Sequence, residues 1–239
     1  MMVEKIIGIL GGMGPEATAD LYYRIIRATP VRRDQDHVRV IIYSNSKVPD
    51  RTGAILGGGE SPIPEMMMAA RALEEAGADF LIMPCNTAHY FIDELRAGVD
   101  IPVLNMIELT AQWFAENSPT TRRVGLIATD GTVRSGIYHD NFGRHGVEVL
   151  TPSESLQAET MSAIYDRIKT GDLETGREML LRVAEALIED GAQAVICGCT
   201  EVSLVLKEGD LPVPILDPMQ VIAEASVAIA LGKRELPGG

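Results

Sequence analysis

The sequence has little cysteine, no excess of positive charge and no long apolar run. Three cysteines in 239 residues are an odd number and too few for a disulfide scaffold, which favours a reducing cytoplasm. Lys and Arg number 21 against 34 Asp and Glu, and the net charge of −13 disfavours a nucleic-acid or anionic-membrane partner. No segment approaches the roughly 18 apolar residues that span a bilayer. The opening MMVEKIIGILGG lacks the flanks of a secretion signal.

Short β-branched apolar runs alternate with helix-length segments along the whole chain. Such runs are typical of strands buried on both faces of a parallel sheet. The predicted strands are 5–10, 38–44, 79–84, 101–105, 122–129, 147–151, 192–197 and 213–217. The predicted helices include 15–28, 62–77, 155–170 and 174–190. The alternation predicts an α/β fold with parallel sheets.

The second half of the chain repeats the first. ALEEAGADFLIMPCNT (72–87) aligns without a gap to ALIEDGAQAVICGCTE (186–201), with seven of sixteen positions identical. Cys85 falls on Cys199, and each follows an apolar strand. IPVLNMIE (101–108) also matches VPILDPMQ (213–220). The repeat predicts two similar domains. Cys197 aligns with Met83, an apolar strand position, and is therefore predicted to be a core residue without a catalytic role.

Duplicated halves usually pack about a pseudo-two-fold axis, with ligands at the strand ends. We therefore expect two similar parallel-sheet α/β domains with an active site in the cleft between them. The first domain is expected to comprise 1–116 and 212–239, and the second 117–211. On this geometry Cys85 and Cys199 approach one cleft from opposite sides, as a proton exchange at a carbon centre requires.

Several ordered motifs resemble the aspartate/glutamate racemase family, most closely its cofactor-independent aspartate racemases. The motifs are GGMGPEAT (11–18), PDRT (49–52), PCNTAH (84–89), GTVRSGIY (131–138), YDRIKTG (165–171), GCTE (198–201) and LDPM (216–219). The resemblance covers nearly the whole chain. It implies two catalytic cysteines, no cofactor, a small dicarboxylic amino acid as substrate and usually a homodimer.

The chemistry supports the two cysteines independently of the resemblance. Racemisation removes the Cα hydrogen from one face and returns a proton to the other, so two acid/base groups are needed. A thiolate can act as the base when donors or cations surround it. Each cysteine precedes a predicted helix start, whose backbone N–H groups favour negative charge and would hold the substrate α-carboxylate. The residues at these starts are Asn86, Thr87, Thr200 and Glu201.

The remaining site residues are assigned largely by the resemblance. It implies that Arg51 grips the distal carboxylate and that Lys169 either assists or lowers the pKa of a cysteine. Asp50 would orient Arg51 or meet the substrate ammonium group, and Met13 would offer its backbone at the glycine turn. Thr132 lies in the second-half loop equivalent to that turn.

Other functions remain open at this point. A glutamate, broad-specificity or hydantoin racemase, or a cis–trans isomerase of an unsaturated diacid, would use the same scaffold. A non-catalytic amino-acid sensor would not need two thiols. The glycine-rich GILGGMG lacks the acidic residue that a dinucleotide site needs after the second strand. Cys197 and Cys199 are too closely spaced for a typical zinc pair, so no metal is expected.

Overall fold

The computed structural model describes residues 4–236, in which two parallel sheets carry the helices. The strands are β1 Ile7–Gly11, β2 Val40–Ser44, β3 Phe80–Ile82, β4 Arg123–Ile127, β5 Glu148–Leu150, β6 Val195–Cys197 and β7 Ile215–Leu216. The helices are α1 Pro15–Ala28, α2 Arg51–Ile55, α3 Ile63–Glu75, α4 Ile92–Arg96, α5 Met106–Asn117, α6 Asp130–Ser135, α7 Ile137–Gly143, α8 Glu154–Ser162, α9 Leu173–Glu189, α10 Thr200–Val205 and α11 Pro218–Ala230. Within this range no helix combines the length and apolarity that a membrane span needs.

The first sheet has the strand order β2-β1-β3, with both pairs parallel. Its central strand β1 is fully buried, because it has a neighbouring strand at each edge and covered faces. A parallel bridge between Leu81 and Val103 extends the sheet beyond β3.

The second sheet repeats this arrangement with the order β5-β4-β6-β7. Its strands are all parallel, and β4 takes the central place that β1 has in the first sheet. The two sheets confirm the predicted α/β class and the duplication read from the sequence. In both halves a cysteine follows the strand beside the central one.

The helices begin at residues that favour the first helical turn, and their buried faces follow the spacing of apolar residues. Helix α1 begins at Pro15, whose ring suits the first turn, and buries Leu21 and Ile25 four residues apart. Helix α9 begins after Asp172, whose carboxylate accepts a hydrogen bond from the Thr175 N–H at 3.3 Å. These caps and apolar stripes fix the helices against their own sheets.

The chain divides into two compact units. The first runs to Leu109 and resumes at Met219, and the second is Thr110–Pro218. The expected boundaries at 116/117 and 211/212 differ from these. Residues 212–218 lie in the second unit because β7 pairs with β6.

Three predicted elements differ from the structure. The predicted helix 155–170 is interrupted after α8 by a π-helical turn and a 3-10 turn, which bring Ile168 against Gly176 of α9. The predicted strand 101–105 contributes only the bridge at Val103. Strand β2 is exposed at Ile42, Tyr43 and Ser44, so the expectation of burial on both faces is wrong for this edge strand.

Candidate active site

Cys85 lies in the loop that follows β3. Its side chain is 6% exposed and belongs to a buried cluster that includes Met13 and Ala88. Asn86 and Thr87 are also buried and begin a 3-10 turn, Thr87–Phe91, rather than the predicted α-helix. The first thiol is therefore held at a strand end with little access to bulk water.

His89 holds this loop through both ring nitrogens. Its Nδ1 lies 2.8 Å from the Cys85 carbonyl oxygen, and its Nε2 lies 3.1 Å from the backbone nitrogen of Met106. Because the Met106 N–H can only donate, Nε2 accepts and Nδ1 carries the ring hydrogen. Burial lowers the pKa of His89 to about 4. The imidazole is therefore neutral at pH 7 and joins the Cys85 loop to α5.

Two hydrogen bonds of the Thr18 side chain stabilise the glycine turn after β1. Its hydroxyl accepts a hydrogen bond from the Gly12 N–H at 2.8 Å and donates to the Gly14 carbonyl at 2.9 Å. A Cβ at Gly12 would overlap the Asn45 backbone, and its φ of 93° also favours glycine. A Cβ at Gly14 would meet open space among the described atoms. Gly14 is thus the position in this turn where a ligand could approach the backbone.

Arg51 ties the loop after β2 to the glycine turn. Its Nη1 donates to the carbonyl oxygens of Val48 and Pro49 at 3.2 and 2.9 Å, and its Nη2 donates to that of Met13 at 3.3 Å. The Met13 side chain is buried in the core. The Asp50 carboxylate accepts from the Gly53 N–H at 2.6 Å and caps α2. Arg51 therefore connects the loop after β2, which also contains Asp50, to the glycine turn at Met13.

Cys199 occupies the equivalent place after β6, as the residue that caps α10. Its carbonyl oxygen accepts a hydrogen bond from the Val202 N–H at 3.0 Å, and its side chain is 7% exposed. Gly198 allows close packing here, since a Cβ would overlap Leu126 of β4. The second thiol is as enclosed as the first.

Glu201 connects the polar groups around the second thiol. The Cys199 Sγ donates to its Oε2 at 2.9 Å, and the Thr200 Oγ1 donates to the same oxygen at 3.1 Å. Lys169 Nζ lies 3.7 Å from its Oε1. The carboxylate is therefore a direct partner of the thiol, a role that the sequence interpretation did not give it.

The pKa of Cys199 is raised well above its ordinary value. Burial is the main cause, followed by the negative charge of Glu201 and the hydrogen bond to it, whereas Lys169 acts in the opposite direction. Lys169 also lies over the ring of Tyr165, with Nζ 4.3 Å from the ring centre. Cys199 consequently holds its proton at neutral pH.

Thr132 lies in the capping turn of α6. The Thr129 hydroxyl accepts from the Thr132 N–H at 3.4 Å, and the two hydroxyl oxygens are 3.2 Å apart. Its side chain is fully buried. Within the second unit, Glu201 links Cys199, Thr200 and Lys169, and Thr132 lies in the cap of α6.

Two further residues near the site were missed by the sequence interpretation. Thr18 closes the glycine turn, and it ends the GGMGPEAT motif that could have indicated it. Tyr138 ends the GTVRSGIY motif and is fully buried. Burial and the negative charges that Cys197, Asp217 and Cys199 can carry raise the pKa of Tyr138 well above its usual value. The Tyr138 hydroxyl therefore keeps its proton at neutral pH.

A family model and a curated relative match most of the chain. The family model for Asp/Glu/hydantoin racemases matches residues 10–226. A broad-specificity amino-acid racemase of Bacillus subtilis is 26% identical over 230 residues, which cover 95% of this chain and 98% of that protein.

Solved structures give the same result for the fold. A Picrophilus torridus aspartate racemase matches with a TM-score of 0.86 and 32% identity, over 95% of this chain and 94% of that one. An aspartate racemase homologue from Pyrococcus horikoshii matches with a TM-score of 0.77 and 27% identity, over 96% and 100%. With paired cysteines at equivalent strand ends and a family match over most of its length, the chain belongs to the Asp/Glu/hydantoin racemase family.

Proposed function

We propose that this protein interconverts L- and D-aspartate without a cofactor, using Cys85 and Cys199 as its two acid/base groups. The observation that carries the proposal is the contact between the Cys199 thiol and Glu201, which keeps a proton on one member of the pair. A racemase of this kind needs one group that gives a proton while the other takes one. The similarity to an aspartate racemase of Picrophilus torridus supports the choice of substrate.

The proposed reaction moves two protons. With Cys199 protonated, Cys85 acts as the thiolate that removes the Cα hydrogen, and its sulfur becomes a thiol. The Cys199 thiol then gives its proton to the opposite face of Cα and becomes a thiolate. The product has inverted configuration, and the protonation states of the two sulfurs have exchanged. Glu201 favours the return of a proton to Cys199 because its charge and hydrogen bond disfavour the thiolate.

Arg51 is proposed to recognise the distal carboxylate. Its side chain is partly buried and fixed by the carbonyl oxygens of Val48, Pro49 and Met13, which place a guanidinium beside the glycine turn. A positioned guanidinium binds a carboxylate more strongly than a mobile surface cation. The backbone around Met13 and Asn86 would hold the α-carboxylate, with Asp50 available for the ammonium group.

Lys169 and Thr200 complete the proposed second half of the site through Glu201. Lys169 partly neutralises Glu201, which limits how strongly the carboxylate disfavours a Cys199 thiolate. Thr200 shares the same carboxylate oxygen as the thiol. These contacts tune the second acid/base group rather than bind the substrate side chain. We also propose a cytoplasmic location, where the thiols remain reduced.

A racemisation assay in D₂O without pyridoxal phosphate tests the proposal. The purified protein should convert L-aspartate to D-aspartate that carries deuterium at Cα, and the double variant Cys85→Ser/Cys199→Ser should not. Running all common amino acids separates aspartate preference from the broad specificity of the Bacillus subtilis relative. Absence of Cα exchange with every amino acid, or activity only with pyridoxal phosphate, would contradict the proposal.

A further inference from the structure

The segment that leads to Lys169 departs from regular α-helix. Residues Ala163–Arg167 form a π-helical turn, and the Ile168 N–H donates to the carbonyl oxygens of Ala163 and Ile164. The bond to Ala163 spans five residues, one more than in an α-helix. One extra residue in a turn rotates the side chains that follow by about 100° relative to a continuous α-helix. The π-turn therefore sets the direction in which Lys169 leaves the backbone.

Main-chain hydrogen bonds close the turn on the other side of Lys169. The Gly171 N–H donates to the Ile168 carbonyl oxygen at 3.0 Å, and Gly171 has a φ of 94°, in the left-handed region that favours glycine. The Asp172 N–H donates to the Arg167 carbonyl oxygen at 2.9 Å. The backbone of Lys169 therefore lies in a closed turn that is bonded on both sides.

Gly176 allows helix α9 to approach this turn closely. A Cβ at Gly176 would lie 2.5 Å from the Ile168 Cγ1 and 3.5 Å from the Ala163 carbonyl oxygen, the oxygen that accepts the Ile168 N–H. Ile168 is 2% exposed, and branching at its Cβ makes its χ1 angle stiff. A larger residue at 176 would therefore displace the turn. Alanine favours a helix more than glycine does, so the close approach is the physical reason for glycine at this position.

The turn brings the Lys169 ammonium group to the second thiol through Glu201. Lys169 Nζ lies 3.7 Å from Glu201 Oε1 and 4.3 Å from the centre of the Tyr165 ring, and Tyr165 belongs to the π-turn itself. The other carboxylate oxygen, Oε2, accepts a hydrogen bond from the Cys199 Sγ at 2.9 Å. A displacement of the turn would therefore change the charge balance beside the thiol.

We propose that Gly176 and Ile168 are positioning residues for the second acid/base group, because their contact holds the π-turn where Lys169 meets Glu201. Both act through Lys169 and contribute no reacting atom. Two locally unfavourable features, a π-turn and a helical glycine, share this one consequence, and π-turns are frequent at functional sites. The catalytic meaning of the inference rests on the proposed function of Cys199, whereas the positioning is a property of the folded protein.

Alkylation of Cys199 reports on this contact without catalytic turnover. Iodoacetamide reacts with the thiolate, so its rate at a fixed pH follows the deprotonated fraction of Cys199. The titratable side chains that interact with this thiol include Glu201, Lys169 and Tyr138. Because Lys169 favours the thiolate, moving Lys169 away should slow alkylation and shift the midpoint of its pH dependence to higher pH. Peptide mass spectrometry separates the Cys199 reaction from those of the other two cysteines.

Gly176→Ala should slow the alkylation of Cys199 about three- to tenfold at a pH below the midpoint, the scale of one nearby, partly screened opposite charge. Lys169→Met should slow it at least as much. In the double variant Gly176→Ala/Lys169→Met the alanine should have no further effect, since no ammonium group remains to be displaced. Gly143→Ala is the control, because a Cβ at Gly143 meets open space among the described atoms, and it should leave the rate unchanged.

Ile168→Ala tests the same contact if Gly176→Ala fails to fold. Alone it should release the turn and slow alkylation, but only while Lys169 is present. Combined with Gly176→Ala it should recover much of the parent's rate, because it removes both the Cγ1 and the Cδ1 that the new methyl group would overlap. An unchanged rate in Gly176→Ala and Ile168→Ala, or equal slowing with and without Lys169, would overturn the inference. An inactive protein that follows the expected alkylation pattern would refute only the catalytic proposal.

Discussion

The two cysteines occupy equivalent places in a repeated fold, yet their surroundings differ. The Cys85 loop is fixed by a neutral histidine that contacts backbone, whereas the Cys199 thiol donates to the Glu201 carboxylate. The repeated fold places a thiol after each equivalent strand, and the side chains around the two thiols differ. The Glu201 carboxylate beside Cys199 favours the protonated form of that thiol. The proposed two-base reaction needs one sulfur protonated and the other deprotonated at each step, and Glu201 favours the state in which Cys199 holds the proton.

Replacing either cysteine should have the largest effect. Cys85→Ser and Cys199→Ser should each lower the racemisation rate at least about 1000-fold, because general acid–base catalysis contributes about 10²–10⁴-fold and a serine hydroxyl is a poor base. Chiral chromatography of aspartate measures the loss. Cys197→Ser is the matched control: its thiol is buried in the core, so stability should change modestly and the rate little. Substantial racemisation by either of the first two variants would remove that thiol from the mechanism.

Arg51→Ala should affect aspartate more than a neutral amino acid. Loss of a charge-assisted partner typically costs about 2–4 kcal/mol, or roughly 30–1000-fold in kcat/KM. The change also removes the contacts to the Met13 and Pro49 carbonyl oxygens, so substrate selectivity is the informative quantity. Arg144→Ala, at an exposed position of the second unit, serves as the control. An unchanged ratio of aspartate to alanine activity would rule out the assignment.

Glu201→Gln should make the Cys199 thiol easier to deprotonate. Removing the negative charge takes away the second-largest cause that raises the pKa of Cys199, so that pKa should fall, while the Gln carbonyl oxygen can still accept from the thiol. The alkaline limb of the pH–rate profile, where Cys199 loses its proton, should then move to lower pH. We expect about a tenfold lower rate at neutral pH, part of the usual acid–base contribution. Glu159→Gln is the control and should leave the alkaline limb unchanged. If Glu201→Gln also leaves the alkaline limb unchanged, Glu201 does not set the pKa of Cys199.

His89→Gln should change stability and its pH dependence. The pKa of His89 is about 4 in the folded protein against 6.5 for an ordinary histidine, so the unfolded chain binds more protons between these values. The part of the unfolding free energy that depends on His89 is therefore fully present above about pH 6.5. It falls by about 3 kcal/mol as the pH drops toward 4. The variant should lose this part of the pH dependence, measured by urea unfolding between pH 4 and 7.5. The control His145→Gln, at an exposed position, should retain the pH dependence of the parent. If the unfolding free energies of the parent and of His89→Gln change equally with pH, His89 is not a buried neutral residue.

Much of the fold was predictable because its signals are local. Apolar runs located the strands, and the repeat around Cys85 and Cys199 indicated two similar sheets. The exposed edge at Ile42 was not predictable, because the sequence pattern of a strand does not say whether another strand lies beside it. The break in the predicted helix 155–170 depends on packing between Ile168 and Gly176, two residues from different elements.

The candidate site was predictable where a residue type alone suggests its chemistry. The cysteines and the polar residues after them were predicted in this way, and their roles in catalysis and binding stay proposals. The contact of Glu201 with Cys199 depends on side-chain directions, so the sequence interpretation treated Glu201 only as a helix-start residue. The cap that buries Thr132 likewise depends on the local turn at Thr129. For Lys169, the contact with Glu201 favours the second of its two expected roles.

The most direct test of the two-base account is the enantiomer preference of the two serine variants. An aspartate analogue with chloride at Cβ can lose its Cα proton to the remaining cysteine once that sulfur is a thiolate, which for Cys199 requires alkaline pH. The loss of this proton from one face releases chloride, and the resulting enamine hydrolyses to a keto acid and ammonia. Chloride release should be fastest from one enantiomer for Cys85→Ser and from the opposite enantiomer for Cys199→Ser. Preference of both variants for the same enantiomer would contradict the assignment of one thiol to each face of the substrate.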